Sequence, residues 1–219
     1  MKSTKTQGIF KDKNRLFTQN PNNCKGIKVY NEKLINYKGN QYRSWNPYRS
    51  KLSAALKNGL KIDLKKEFNV LYLGAATGTT VSHISDIIKE GIIYSVENSP
   101  IAVKKLINVS EKRNNIIPIL SDANHPDRYN HIVSQVDMVY QDISQRNQAE
   151  IFIKNIQTYL KNKGLGVLIV KARSIDVSIK PKKAFEKVEM QLKENGFKII
   201  DKIDLSPYEK DHAAILISS

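Results

Sequence analysis

The chain of 219 residues holds a single cysteine, Cys24. One cysteine excludes a disulfide framework and a cysteine-rich metal site, and it suits a reducing compartment. The first residues, MKSTKTQGIF, lack the apolar core of a secretory signal. No apolar run is long enough to span a bilayer. No membrane association is therefore expected, and a cytoplasmic location is. Internal repeats and low-complexity segments are missing, and no set of side chains has metal-ligand spacing. Acidic residues are scarce, but only in one place. Residues 1–66 hold 16 Lys and Arg against 3 Asp and Glu, whereas residues 67–219 hold 20 against 18. Nearly all of the net charge of +15 thus precedes the first predicted core strand. A localised excess of this kind attracts a polyanion such as nucleic acid through counterion release.

The apolar residues, 40% of the chain, suffice for a core and fall into two patterns. Up to residue 45, short mixed segments surround Asn, Gly and Lys, and KGN at 38–40 reads as a hairpin turn. A small antiparallel β domain is expected over 1–46. Next, Asn46-Pro47 and the helical spacing of Leu52, Ala55, Leu56 and Leu60 predict a helix over roughly 48–58, with Gly59 at its end. From Asn69 on, apolar strands alternate with helical stretches. The strands are NVLYLG, GIIYSVE, NIIPILSD, VDMVYQD and GVLIVKAR; the helices include TVSHISDIIKE, SPIAVKKLINVSEKR and QAEIFIKNIQTYLKNK. Continuous apolar strands separated by helices form a parallel sheet covered on both faces. After the helix PKKAFEKVEMQLKENG, the strands FKIIDKIDL and HAAILIS follow with no helix between, so they close as an antiparallel hairpin. The expected fold class is α/β: over 47–219, a seven-stranded doubly wound, Rossmann-like sheet of the methyltransferase type with a final antiparallel hairpin.

Ligands of such sheets bind beyond the carboxyl ends of the strands. The first core strand ends at Gly74, followed by Ala75, Ala76, Thr77 and Gly78. The spacing lacks the middle glycine of the dinucleotide fingerprint, and no lysine stands in the turn to hold a triphosphate. The next strands end in Glu97, Asp122 and Asp142. Glu97 suits the hydroxyls of an adenosine ribose, and Asp122 the adenine amino group. Several acids and no cation suit a cationic ligand, which points to S-adenosyl-L-methionine; a dinucleotide is the alternative. Thr79 and Thr80 either touch the ligand or cap the next helix.

These stretches resemble the archaeal fibrillarin-like RNA 2′-O-methyltransferases. The resemblance runs in order through WNPYRSKLSAA (45–55), LYLGAATGTTVSHISDI (71–87), YSVENSP (94–100), NIIPILSDA (115–123), VYQDISQ (139–145), AEIFIKN (149–155), VKARSIDVS (170–178) and PYEKDHA (207–213). It implies a small N-terminal β domain on a methyltransferase domain. It also implies action on rRNA and tRNA in a box C/D ribonucleoprotein, with a Nop5-type scaffold, an L7Ae-type kink-turn protein and a guide RNA. The cofactor site it implies comprises Gly74, Ala75, Thr79, Thr80, Glu97, Asn98, Asp122, Ala123, Asp142, Ile143, Ser144 and Gln145. Asn98 stands where the family often has an aromatic, which weakens the expected stacking on adenine, and Thr77 replaces a common serine. The absence of a Gly/Arg-rich tail resembles the archaeal form.

The resemblance further implies a catalytic set of Lys51, Asp142, Lys171 and His212. The chemistry agrees with it. A ribose 2′-hydroxyl is a poor nucleophile, and a partly buried lysine near positive charge can take its proton. Lys171 is expected to be that base, or to orient the hydroxyl. Asp142 is expected to position Lys171 and the methyl group, while Lys51 and His212 tune charge and contact the target nucleotide. Tyr42, Trp45 and Tyr48, among Arg43 and Arg49, either stack on RNA or pack internally, and packing suits Trp45 better. His83 is expected at the surface or in helix packing; His125 and His131 carry no expectation. A non-catalytic scaffold and a small-molecule methyltransferase remain open, and RNA-dependent turnover separates them from the first reading.

Overall fold

The structure, a computed structural model, describes residues 1–218. Its N-terminal part is an antiparallel sheet of β1 (Lys2–Ser3), β2 (Ile9–Asp12), β3 (Arg15–Gln19), β4 (Leu34–Tyr37) and β5 (Asn40–Trp45), in the order β1-β2-β3-β5-β4. The expected hairpin is present: Lys38 (φ 48°) and Gly39 (φ 77°) both take positive φ between β4 and β5. Two-residue turns of this kind match the twist of the flanking strands.

The helix α1 (Lys51–Lys57) starts later than the sequence suggests. Its cap is Ser50, whose hydroxyl accepts from the Ser53 amide, and Asn46 instead accepts from the amide of Tyr48 in the preceding turn. Then come β6 (Val70–Leu73), α2 (Thr79–Ile87), β7 (Ile93–Glu97), α3 (Pro100–Ser110), β8 (Ile116–Leu120), β9 (Val136–Gln141), α4 (Gln148–Tyr159), β10 (Leu160–Lys171), α5 (Ala172–Ile175), α6 (Pro181–Glu194), β11 (Lys198–Asp204) and β12 (His212–Ser218). They build a seven-stranded sheet, β11-β12-β10-β9-β6-β7-β8. Its strands run parallel except β12, which lies antiparallel between β10 and β11 as the terminal hairpin requires.

Two local expectations fail for visible reasons. The helix expected to run to 163 ends at Tyr159, and β10 starts at Leu160 rather than at Gly166. Lys163 has φ 63°, and a Cβ on Gly166 would lie 2.7 Å from the Ile217 side chain, so this stretch belongs against β12. The crossover from β8 to β9 contains a 3₁₀ turn, Pro126–Tyr129, and no α-helix.

Successive residues of the core strands serve opposite faces. Leu71 and Leu73 join Phe152, Ile156, Phe185 and Val188 under α4 and α6. Val70 and Tyr72 join Leu52, Val81, Ile84 and Leu106 under α1, α2 and α3. Such two-sided burial explains why these strands read as unbroken apolar runs. Ile9, Leu16 and Trp45 of the N-terminal sheet lie in the second cluster, so the two sheets share one core.

A buried polar network crosses the same junction. Arg43 donates to Glu32 (2.7 Å) and Asp86 (2.7 Å), and Arg113 reaches the other oxygen of Asp86 (3.2 Å). His83, fully buried and stacked on Trp45, sits in helix packing, one of its two expected places. Thr18 gives its single hydroxyl proton to Asp86, so Nδ1 of His83 donates to Thr18 (2.7 Å); the Tyr30 hydroxyl lies 2.8 Å from Nε2 and 2.9 Å from the Ser44 carbonyl, with one proton between the two contacts. Burial, then the neighbouring Arg43 and Arg113, pushes the His83 pKa well below the usual histidine value and keeps the ring neutral. Arg43, Tyr42 and Trp45 are buried and are thereby removed as RNA contacts.

Candidate active site

The turn after β6 is shaped by close backbone approach. Gly74 has φ 80°, and a Cβ there would lie 2.4 Å from the carbonyl oxygen of Asp142. Glycine thus lets β6 and β9 meet at their ends. Ala76 also takes positive φ (49°), a strained value for alanine. Glu97, ending β7, holds this turn: its carboxylate accepts from the amides of Ala76 (2.8 Å) and Ser99 (2.9 Å). The helix α2 is capped by Gly78, without a side-chain cap. Thr79 and Thr80 therefore do not cap it. Thr80 is buried with its hydroxyl 2.9 Å from that of Ser50, and Thr79 is half-buried in the first turn.

The loops that follow β8 and β9 meet beyond the strand ends. Asp122 Oδ1 accepts from the backbone and side-chain N–H groups of Asn124, both at 2.9 Å, and this holds the carboxyl below the usual carboxylate range. Asn124 in turn donates to Gln145 (3.0 Å). Ala123 is buried and accepts from Asn155, Ile143 is half-buried against Gly74, and Asn98 and Ser144 are exposed.

Asp142 is the meeting point. Its carboxylate pairs with Lys51 Nζ at 3.0 Å, with both side chains partly exposed. The sequence leads one to expect Asp142 beside Lys171. The ion pair is with Lys51 because Ser50 starts α1 directly over the ends of β6 and β9. In the β9–β10 register Gln141 faces Leu168, so Lys171 stands two residues beyond the level of Asp142. Lys171 faces His212 across β10 and β12. Nδ1 of His212 lies 2.7 Å from the carbonyl oxygen of Lys210. A carbonyl only accepts, so Nδ1 carries the proton and Nε2 is left as the acceptor of the neutral ring.

Two positioning residues escaped the sequence reading. Ser50 accepts from Trp45 Nε1 (2.9 Å), meets Thr80 and caps α1, tying Lys51 to the glycine turn. Gln148 is fully buried; it accepts from the Lys171 amide (2.9 Å) and donates to the carbonyls of Gln145 (3.0 Å) and Lys171 (3.2 Å). It locks the 143–145 loop to the end of β10. Neither has a local pattern that announces this. Only S-x-x-S at 50–53 hinted at the cap.

A family profile described as Fibrillarin matches residues 1–219. The chain belongs to the fibrillarin family. It is 47% identical over 211 residues, 96% of this chain and 93% of the relative, to the fibrillarin-like rRNA/tRNA 2′-O-methyltransferase of Methanothermobacter thermautotrophicus. A crystal structure of Aeropyrum pernix fibrillarin with natively bound S-adenosyl-L-methionine superposes with a TM-score of 0.84 at 43% identity, covering 93% of this chain and 88% of that one. A fibrillarin/Nop5p complex gives a TM-score of 0.88 at 44% identity, covering 97% of each chain. The fibrillarin fold seen here fits the cofactor of the Aeropyrum structure on its own chemistry. The glycine turn permits close approach, Glu97, Asp122 and Asp142 stand at the ends of β7, β8 and β9 in the same sheet, and no cation stands in the turn.

Proposed function

We propose that this fibrillarin-family enzyme methylates ribose 2′-hydroxyls of rRNA and tRNA as the catalytic subunit of a guide-RNA-directed box C/D ribonucleoprotein. Gly74, Ala75, Glu97, Asn98, Asp122, Ala123, Ile143, Ser144 and Gln145 would hold S-adenosyl-L-methionine, with Thr79 and Thr80 behind the turn. When bound, that cofactor supplies an electrophilic methyl group on a sulfonium. Asp142 offers the negative charge that orients a cationic centre, and Lys51 balances it. Lys171 takes the proton of the 2′-hydroxyl, or holds the hydroxyl in line for displacement. His212, opposite Lys171, accepts a hydrogen bond from the target nucleotide through Nε2. The observation that carries this reading is the convergence on Asp142, whose backbone closes on Gly74 and whose carboxylate pairs with Lys51.

The named relatives support RNA as substrate and a Nop5-type scaffold as partner. The scarcity of base-reading motifs supports target choice by a guide RNA, assembled with an L7Ae-type protein. The proposed division at 46/47 is one of topology, since the two parts share a core. The experiment is reconstitution with these partners, followed by methyl transfer to matched RNAs bearing 2′-OH or 2′-deoxy at the target. Transfer to the 2′-OH RNA alone is expected; equal transfer to both would overturn the reading.

A further inference from the structure

A groove of about 370 Å³ opens beside the cofactor turn. Its walls are the 27–30 loop of the N-terminal sheet, the segment before α1, and α3 with the turn after it. Thr77 of the glycine turn forms one end. Four cations line it from these separate elements: Lys28, Arg49, Lys105 and Lys112. All four are exposed, and none takes part in an ion pair among the described residues. No Asp or Glu lines the groove. The contrast with Arg113 is instructive: it borders the same groove but is buried and committed to Asp86.

We infer that this groove holds the phosphodiester backbone of the RNA strand that carries the target ribose. The inference rests on the proposed activity for the identity of the strand, and on charge for its class. Four unpaired cations facing one space repel each other unless an anion lies between them, and a backbone of regularly spaced phosphates supplies several at once. A protein partner fits less well. Protein interfaces gather apolar residues at the centre and charge at the rim. Here the apolar floor of Ile27, Val29 and Val109 is half-buried, and the chain's most exposed large apolar residues, Ile101 and Val177, lie elsewhere. The position suits positioning without base reading. Arg49 is two residues from Lys51, and Thr77 lies in the cofactor turn, so one end of the groove adjoins that turn and the segment that carries Lys51 to Asp142.

The test uses the full chain and a fluorescein-labelled oligoribonucleotide of 20 nucleotides, with binding read by anisotropy over a range of salt. The variant Lys28→Gln/Lys105→Gln/Lys112→Gln is compared with a control, Lys182→Gln/Lys183→Gln/Lys187→Gln, on the exposed side of α6. The groove variant is expected to bind about tenfold or more weakly, with a log–log salt slope shallower by about two. The control should match the unmodified chain, and binding of S-adenosyl-L-methionine should be the same in all three. Unchanged affinity and slope would overturn the inference, as would equal losses in groove variant and control, or no RNA binding by the unmodified chain. RNA binding kept, with co-elution with a Nop5-type scaffold lost, would reassign the groove to a protein and also overturn it. The 2′-deoxy comparison above tests the activity separately, so either reading can fail without the other.

Discussion

Two polar regions of this molecule handle charge in opposite ways. At the junction of the sheets, Arg43, Glu32, Asp86 and Arg113 are buried and balanced, two charges of each sign. At the strand ends, Lys51, Asp142 and Lys171 are half-buried, and one ion pair leaves one lysine over. The first region fixes the position of one sheet on the other, because an unpaired charge there has no water to turn to. Under the proposed function, the second keeps capacity for a ligand and a substrate. The difference is set by solvent access: α2 and β5 close over the junction, while loops border the crevice.

The junction is where the largest effect is expected. Asp86→Ala leaves Arg113 without a carboxylate and Arg43 with Glu32 alone, and should cost about 3–5 kcal/mol of stability, measured by urea unfolding. A loss under 1 kcal/mol would mean water reaches the junction and the contrast is false. Lys171→Ala should do the reverse. It should lower kcat on the order of 10²-fold, about 2.7 kcal/mol of barrier, with stability changed by no more than about 0.5 kcal/mol. A variant that binds cofactor and keeps full activity would remove Lys171 from the mechanism.

Acid sharpens the comparison next. The folded pKa of His83 lies well below its unfolded value near 6.5, so the unfolded chain binds the extra proton. Stability from this group is complete above that value and lost as pH falls beneath it, by up to about 1.4 kcal/mol per pH unit. Unfolding free energies between pH 7.5 and 5 read it; a flat profile would show a charged or exposed ring. The smallest effect joins the two regions. Ser50→Ala removes the cap of α1 and should cost about 1 kcal/mol, with a lower kcat because Lys51 loses its anchor. Ser50→Thr, which can still cap, should restore both; unchanged kcat in Ser50→Ala would confine Ser50 to stability.

Much of the architecture was legible because its signals are local. Apolar runs such as NVLYLG and VDMVYQD need only be buried on both faces to be strands, and the parallel order with a closing hairpin follows from where helices intervene. The acids at strand ends were legible for the same reason. The ends of elements were less so. Asn46 has the chemistry of a cap, but Ser50 holds the position, since the Trp45 indole and Thr80 fix its hydroxyl. QTYLKNK reads as helix until β12 claims the residues that follow it.

What the sequence determined by itself was the order of elements, the kind of ligand the first turn admits, and the uneven charge. Tertiary structure decided which charges meet. Lys51 and Asp142 are 91 residues apart and pair at 3.0 Å. The sequence leaves Tyr42 and Trp45, beside Arg43, either stacking on RNA or packing internally; α2 presents Asp86 and His83 to β5 and draws Arg43 and Trp45 inward. An ion pair depends on distance and solvent access, and the chain sets neither until it is folded.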